Sequence, residues 1–79
     1  YPNPFNPATN IKFNIAVSGI IKISVYNITG QETAILVNSE MKPGTFTVSW
    51  DASDLPGGVY FCRMTGTGFM ETKKMILIK

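Results

Sequence analysis

The sequence predicts an all-β protein, an immunoglobulin-like antiparallel β-sandwich of six to seven short strands in two sheets. Three observations predict it. Apolar residues recur at every second position through a series of short runs, the period of a strand with one buried face. Glycine, proline, asparagine and aspartate punctuate those runs at spacings of about 8–12 residues, as in small all-β sandwiches. No stretch of helical length sustains a helical period. The 79 residues allow a single domain, 1–79, with one two-layer core. A domain of this size buries only roughly 60% of the surface its unfolded chain exposes, so it has little room for an enclosed substrate pocket.

The elements follow in order. Tyr1-Pro2-Asn3-Pro4-Phe5-Asn6-Pro7 places proline at alternate positions. Each proline fixes φ and removes an amide donor, which predicts an extended arm over residues 1–10 outside the central sheet, with Phe5 as an anchor. Ile11, Phe13 and Ile15 alternate with Lys12 and Asn14, a half-buried strand. After a Ser18-Gly19 turn, Ile21, Ile23 and Val25 alternate with Lys22, Ser24 and Tyr26, a second strand. Asn27-Ile28-Thr29-Gly30 is a turn, because asparagine and glycine tolerate unusual backbone angles. A third strand covers Glu32 to Val37, followed by a polar connector from Asn38 to Lys42 and a Pro43-Gly44 turn. Phe46, Val48 and Trp50 alternate with threonine and serine, the cleanest strand pattern in the chain. Asp51 to Gly58 is a loop with room for one helical turn, Val59 to Thr65 a strand, and Phe69 to Ile78 the last strand, with a break expected near Lys73-Lys74.

The immunoglobulin-like topology comes from Leu55-Pro56-Gly57-Gly58-Val59-Tyr60-Phe61-Cys62. Such domains carry a corner tyrosine two residues before a core position, its hydroxyl bonded to upstream backbone. On that register Tyr60, Cys62 and Met64 point inward, Arg63 points to water and Phe61 lies on the outer face. Gly58 belongs to the corner. With a single cysteine, Trp50, Ile23, Val25 and Leu36 hold the sheets together by packing alone.

Composition narrows the function. A hydrophobic fraction of 44% against 15% charged residues argues for a folded chain. Seven Lys/Arg and five Asp/Glu, scattered for a net charge of +2, form no basic run, so neither nucleic acid nor an anionic membrane is an expected partner. The apolar runs are far shorter than the ~20 residues of a membrane-spanning helix. No leader peptide is visible, and Tyr1 in place of an initiator methionine reads as a piece of a longer protein.

No residue set points to catalysis, and the chain is expected not to be an enzyme, with no cofactor, no metal and no small-molecule substrate. Histidine is missing, and with it the commonest acid/base group near neutrality. Cys62 is the one strong nucleophile, but the strand pattern makes it a core residue. Asp51, Asp54 and Glu71 offer too few oxygen ligands for calcium, and turn capping explains the first two. Asn27-Ile28-Thr29 fits the N-glycosylation pattern, and a hairpin tip explains the same residues. Trp50, Tyr26, Tyr60 and Phe61 could stack a sugar, although aromatics at strand spacing are more often core. Lys73, Lys74 and Lys79 fit edge lysines that discourage aggregation, while exposed edges and Phe61 leave weak self-association open.

The order of the motifs goes further. The opening Tyr1 to Thr9 is followed by Val25-Tyr26-Asn27-Ile28-Thr29-Gly30-Gln31-Glu32, then Pro43-Gly44-Thr45-Phe46 with Val48-Ser49-Trp50-Asp51. Gly58-Val59-Tyr60-Phe61 and the ending Lys73-Lys74-Met75-Ile76-Leu77-Ile78-Lys79 complete the set. From Tyr1 to Lys79 the chain resembles the C-terminal sorting domains of the type IX secretion system, those of type A. It also resembles the related immunoglobulin-like domain of the flagellar hook-capping protein. Cys62, where an aromatic or aliphatic residue is usual, and Gly57-Gly58, where Ser-Gly is common, are mild departures.

The resemblance implies a secretion signal on a larger protein of the Bacteroidota or their relatives. Its partners would be an N-terminal cargo domain in the same chain, the outer-membrane translocon and a surface sortase that removes the domain. The cargo would pass through the periplasm to the cell surface or beyond. Recognition is expected at the two ends of the chain, through Pro2, Asn3, Pro4 and Phe5 and through Lys73, Lys74 and Lys79. Tyr60, Gly58, Trp50 and Cys62 are structural in this reading. The competing reading is an immunoglobulin-like spacer or a carbohydrate-binding module of a secreted multidomain protein.

Overall fold

A computed structural model describes residues 8–78. Its strands run β1 Ala8–Ile15, β2 Gly19–Asn27, β3 Glu32–Met41, β4 Gly44–Asp51, β5 Gly58–Gly66 and β6 Phe69–Leu77. β1 and β4 form a two-stranded antiparallel sheet, and the other four form a second sheet in the order β3-β2-β5-β6. This is the sandwich expected from the strand periodicity.

Alternation determines what each sheet buries. Ile11, Phe13, Ile15 and Trp50 come from the smaller sheet, and Ile21, Ile23, Val25, Tyr60, Cys62, Met64 and Leu77 from the larger. They meet as one core, with Leu36, Phe46 and Val48 partly buried against it. Phe13 and Phe46, register partners, pack with ring centroids 6.1 Å apart. Ser24 breaks the expected alternation: it lies on the outer face of the larger sheet yet is buried. Its register partners are Ile35 and Arg63, both long enough to reach over a short side chain.

Several local expectations are corrected. Asn38 to Met41 is strand rather than connector, because β3 keeps pairing with β2 as far as Met41 opposite Gly19. The register slips between Ile23 and Ser24 and again between Val25 and Tyr26, so β3 carries two irregularities, which twist an edge strand and blunt it toward further pairing. The Asp51–Gly58 loop holds no helical turn; Leu55 N–H donates to the Ala52 carbonyl at 3.0 Å in a simple turn. β6 runs unbroken through Lys73 and Lys74, since both stay in register with Cys62 and Phe61 of β5. Ala8, Thr9 and Asn10, expected at the end of the arm, are paired residues of β1. Residues Pro2, Asn3, Pro4 and Phe5, and Lys79 at the other end, lie outside the described residues.

The β2–β3 turn shows how one side chain organises a hairpin. The Asn27 Oδ1 accepts from Thr29 N–H, Thr29 Oγ1 and Gln31 N–H at 3.1, 2.8 and 2.9 Å. Gly30 closes the turn at φ 87°, in the left-handed region that favours glycine. The glycosylation pattern thus coincides with a turn in which the Asn27 amide is already engaged, its Nδ2 donating to Gln31 Oε1 at 3.3 Å.

Candidate functional site

The two outer faces of the sandwich differ in chemistry. On the smaller sheet, Asn10, Lys12, Asn14, Thr45, Thr47, Ser49 and Asp51, with Ala8 at one end, form an exposed and predominantly polar face. The larger sheet presents Ile20, Tyr26, Ile35, Phe61, Met70 and Ile76 among Lys22, Arg63, Thr72 and Lys74. Ile20, Met70 and Ile76 are more than half exposed, at 62%, 64% and 65%.

The corner tyrosine forms as predicted. Tyr60 is buried and its hydroxyl donates to the Pro56 carbonyl at 2.6 Å. Trp50 is buried edge-on to it, ring centroids 5.4 Å apart, and its Nε1 has no hydrogen-bond partner among the described residues. Gly58 begins β5 directly after the corner. Cys62 is buried, and that burial pushes its thiol pKa up while Lys73 pulls weakly the other way, the opposite of an activated nucleophile. The aromatics do not converge into a sugar platform: Trp50 and Tyr60 are inside, whereas Tyr26 and Phe61 pair on the outer face.

Acidic groups serve structure. Asp51 accepts from Ser53 N–H at 3.0 Å, an Asx-type turn. Glu32 pairs with Lys22 Nζ at 3.2 Å and accepts from the Tyr26 hydroxyl at 3.3 Å. Lys22, followed by the Ser24 hydroxyl, holds the Glu32 carboxyl below its ordinary value. Among the described residues no group of histidine, cysteine, aspartate and glutamate could hold a metal.

β6 divides the two lysines between faces. Lys73, opposite the inward Cys62, turns to the side of the sandwich, where its Nζ donates to the Lys12 carbonyl at 3.1 Å. It stands in a cleft between β1 and β6 of about 370 Å³, lined by Ile11, Phe13, Cys62, Met64 and Glu71 among others. Lys74, opposite Phe61, faces outward from the larger sheet. Lys73 and Lys74, adjacent in sequence, therefore sit on different surfaces.

Compared with known protein families, the profile of the secretion system C-terminal sorting domain matches residues 1–79. The chain belongs to this family. It is a C-terminal sorting signal for type IX secretion, which implies a cargo protein, the secretion machinery and a destination at the cell surface or outside the cell. No curated protein and no solved structure matches the chain. In this sorting domain the motif residues Tyr26, Gly30, Trp50, Gly58 and Tyr60 build turns, core and corner.

One arrangement in the sorting domain was not legible residue by residue. Arg63, expected to point to water, is half-buried with its guanidinium carbon 4.8 Å from the centroid of the Tyr26 ring. The correction has a simple cause. Tyr26 pairs with Phe61 and Ser24 with Arg63, which puts Tyr26 and Arg63 diagonally across adjacent strands on one face, within stacking reach.

Proposed function

We propose that the folded sorting domain is read by the outer-membrane translocon of the type IX machinery. The translocon carries an N-terminal cargo domain of the same chain out of the periplasm, and a surface sortase then removes the domain. The observation that carries this reading is the family match along the whole chain, Tyr1 to Lys79. The chemistry of release belongs to the sortase: the buried Cys62 thiol and the turn-bound and ion-paired carboxylates of Asp51 and Glu32 are structural groups. The proposed contacts are the ends of the chain, Pro2, Asn3, Pro4 and Phe5 on one side and Lys73, Lys74 and Lys79 on the other. Lys74 supports the reading best, because it stands outward on an edge strand that Met75 and Leu77 anchor to the core.

The experiment is a periplasmic reporter fused ahead of the complete chain in a type IX-competent host and in a host whose translocon is deleted. The reporter is expected outside the first host and inside the periplasm of the second. Retention in both would overturn the reading.

A further inference from the structure

The outer face of the four-stranded sheet holds an arginine with no ion pair among the described residues. Arg63 stacks on Tyr26, and its Nε is buried with no hydrogen-bond partner among the described residues. The nearest acid on that face, Glu32, is already taken by Lys22 and the Tyr26 hydroxyl. A shallow pocket of about 320 Å³ opens beside the guanidinium, lined by Tyr26, Asn27, Ile28, Phe61 and Thr72 with Arg63 itself. Lys74 stands diagonally from Arg63 on the neighbouring strand, about 7–8 Å away by the geometry of antiparallel ladders.

We propose that this face docks an acidic segment of a protein partner, with one carboxylate seated on Arg63 between Tyr26 and Phe61 and a second acid within reach of Lys74. The proposal rests on the sorting reading for where the partner is met, but the contact follows from the face itself. A guanidinium held over an aromatic ring, here 4.8 Å from its centroid, has lost part of its freedom before a partner arrives, which suits a carboxylate and reduces the ordering cost of binding. The surroundings select the class of partner. Exposed Ile28, Met70 and Ile76 flank the cations, so the complementary surface alternates acid with apolar side chains. A phosphate-rich surface, a lipid headgroup layer included, would instead call for a field of outward cations, and among the described residues the strands of this face offer Arg63 and Lys74 outside the Lys22–Glu32 pair. The opposite face, predominantly polar, provides the internal control.

The test is an NMR titration of the isotope-labelled chain, reading the backbone amides and the Arg63 Nε–H signal. The probes are two capped pentapeptides, one alternating valine with glutamate and the other valine with glutamine. The glutamate peptide is expected to shift Arg63, Tyr26, Phe61 and Lys74 in a saturable, salt-sensitive way, and the glutamine peptide is not. Arg63→Gln is expected to weaken binding about fivefold or more, as loss of a charge-assisted hydrogen bond does, and Lys12→Gln on the far face to leave it unchanged. If Arg63→Gln loses its dispersed spectrum, Arg63→Lys and Lys74→Gln carry the test, each expected to weaken binding while keeping the fold. Equal shifts with both peptides, no shifts, or shifts centred on the β1–β6 cleft overturn the proposal. So do shifts produced at these residues by phosphatidylglycerol vesicles and not by the glutamate peptide. The reporter fusion separates the two readings: a wild-type reporter retained in the periplasm counts against sorting and leaves the titration standing. Release of Arg63→Gln at the wild-type rate counts against docking at this face and leaves sorting standing.

Discussion

Tyr60 Oη donates a 2.6 Å hydrogen bond to the carbonyl of Pro56, tying the start of β5 back onto the loop that leads into it. The bond is partly buried, so its loss removes a contact that water replaces incompletely. Tyr60→Phe keeps the ring against Trp50 and removes only the hydroxyl. We expect a loss of about 1 kcal/mol, seen as a drop in melting temperature of about 4–8 °C for a domain of this size. Thermal denaturation followed by circular dichroism would measure it, and an unchanged melting temperature would show that the corner is held by the backbone alone.

Trp50 contributes packing rather than a polar contact. It is 2% exposed, edge-on to Tyr60, and its Nε1 finds no acceptor among the described residues. Trp50→Ala should cost about 3–5 kcal/mol through lost burial and the cavity left behind. Total stability for a chain of this length is about 4–12 kcal/mol, so that variant should be near unfolding at room temperature. Trp50→Phe gives up no hydrogen bond and refills most of the space, so it should cost clearly less. Urea denaturation of the two variants checks the order, and equal losses would mean that a phenyl ring at this position restores none of the lost packing.

Most of the fold was legible because the smaller sheet buries one face and wets the other, the arrangement that period two reports. Ile11, Phe13 and Ile15 buried between exposed neighbours are that signal in the structure. β3 was read too short because its exposed end, Asn38 to Glu40, is polar on both faces, and strand pairing at a sheet edge leaves no apolar trace there. The expected break at Lys73-Lys74 failed for a related reason: on an edge strand two adjacent lysines can each reach solvent, one past the side of the sandwich and one from its face. The Arg63–Tyr26 contact depends on the register between β2 and β5, and a one-residue slip would separate the two side chains. Single-strand patterns do not carry that register.

Cys62 gives the domain a pH dependence whose sign follows from its position. Burial raises the folded-state thiol pKa, so the folded form holds its proton more tightly than the unfolded chain does. The contribution is complete below the ordinary thiol range and is lost as pH rises through and beyond it, where the unfolded chain ionises first. Cys62→Ala should therefore lessen the fall in melting temperature on the alkaline side while leaving the neutral-pH fold intact. Cys62→Ser should be worse than Cys62→Ala at neutral pH, because it buries a hydroxyl among apolar side chains at a cost of about 1–3 kcal/mol. Iodoacetamide should label the native thiol far more slowly than the thiol in urea; comparable rates would contradict the burial.

The position of β6 determines how recognition at this end of the chain can be tested. Leu77 is buried and Met75 is packed against the core. Residues Lys74 to Leu77 also pair with Phe61, Tyr60, Val59 and Gly58, the corner segment of β5. Deleting residues 74–79 therefore removes the ladder that covers the Tyr60 corner together with two core side chains. For Leu77 alone the expected cost is about 2–5 kcal/mol, a large share of what a domain this small has. The truncated chain should show a collapsed amide spectrum and rapid proteolysis, whatever the machinery recognises. Lys74→Gln changes an exposed side chain on the outer face, so its melting temperature should stay within a few degrees of wild type, as for most surface substitutions. If the truncated chain melts cooperatively near the wild-type temperature, β6 beyond Lys73 is dispensable to the sandwich, and the packing of Met75 and Leu77 contributes far less than their burial implies.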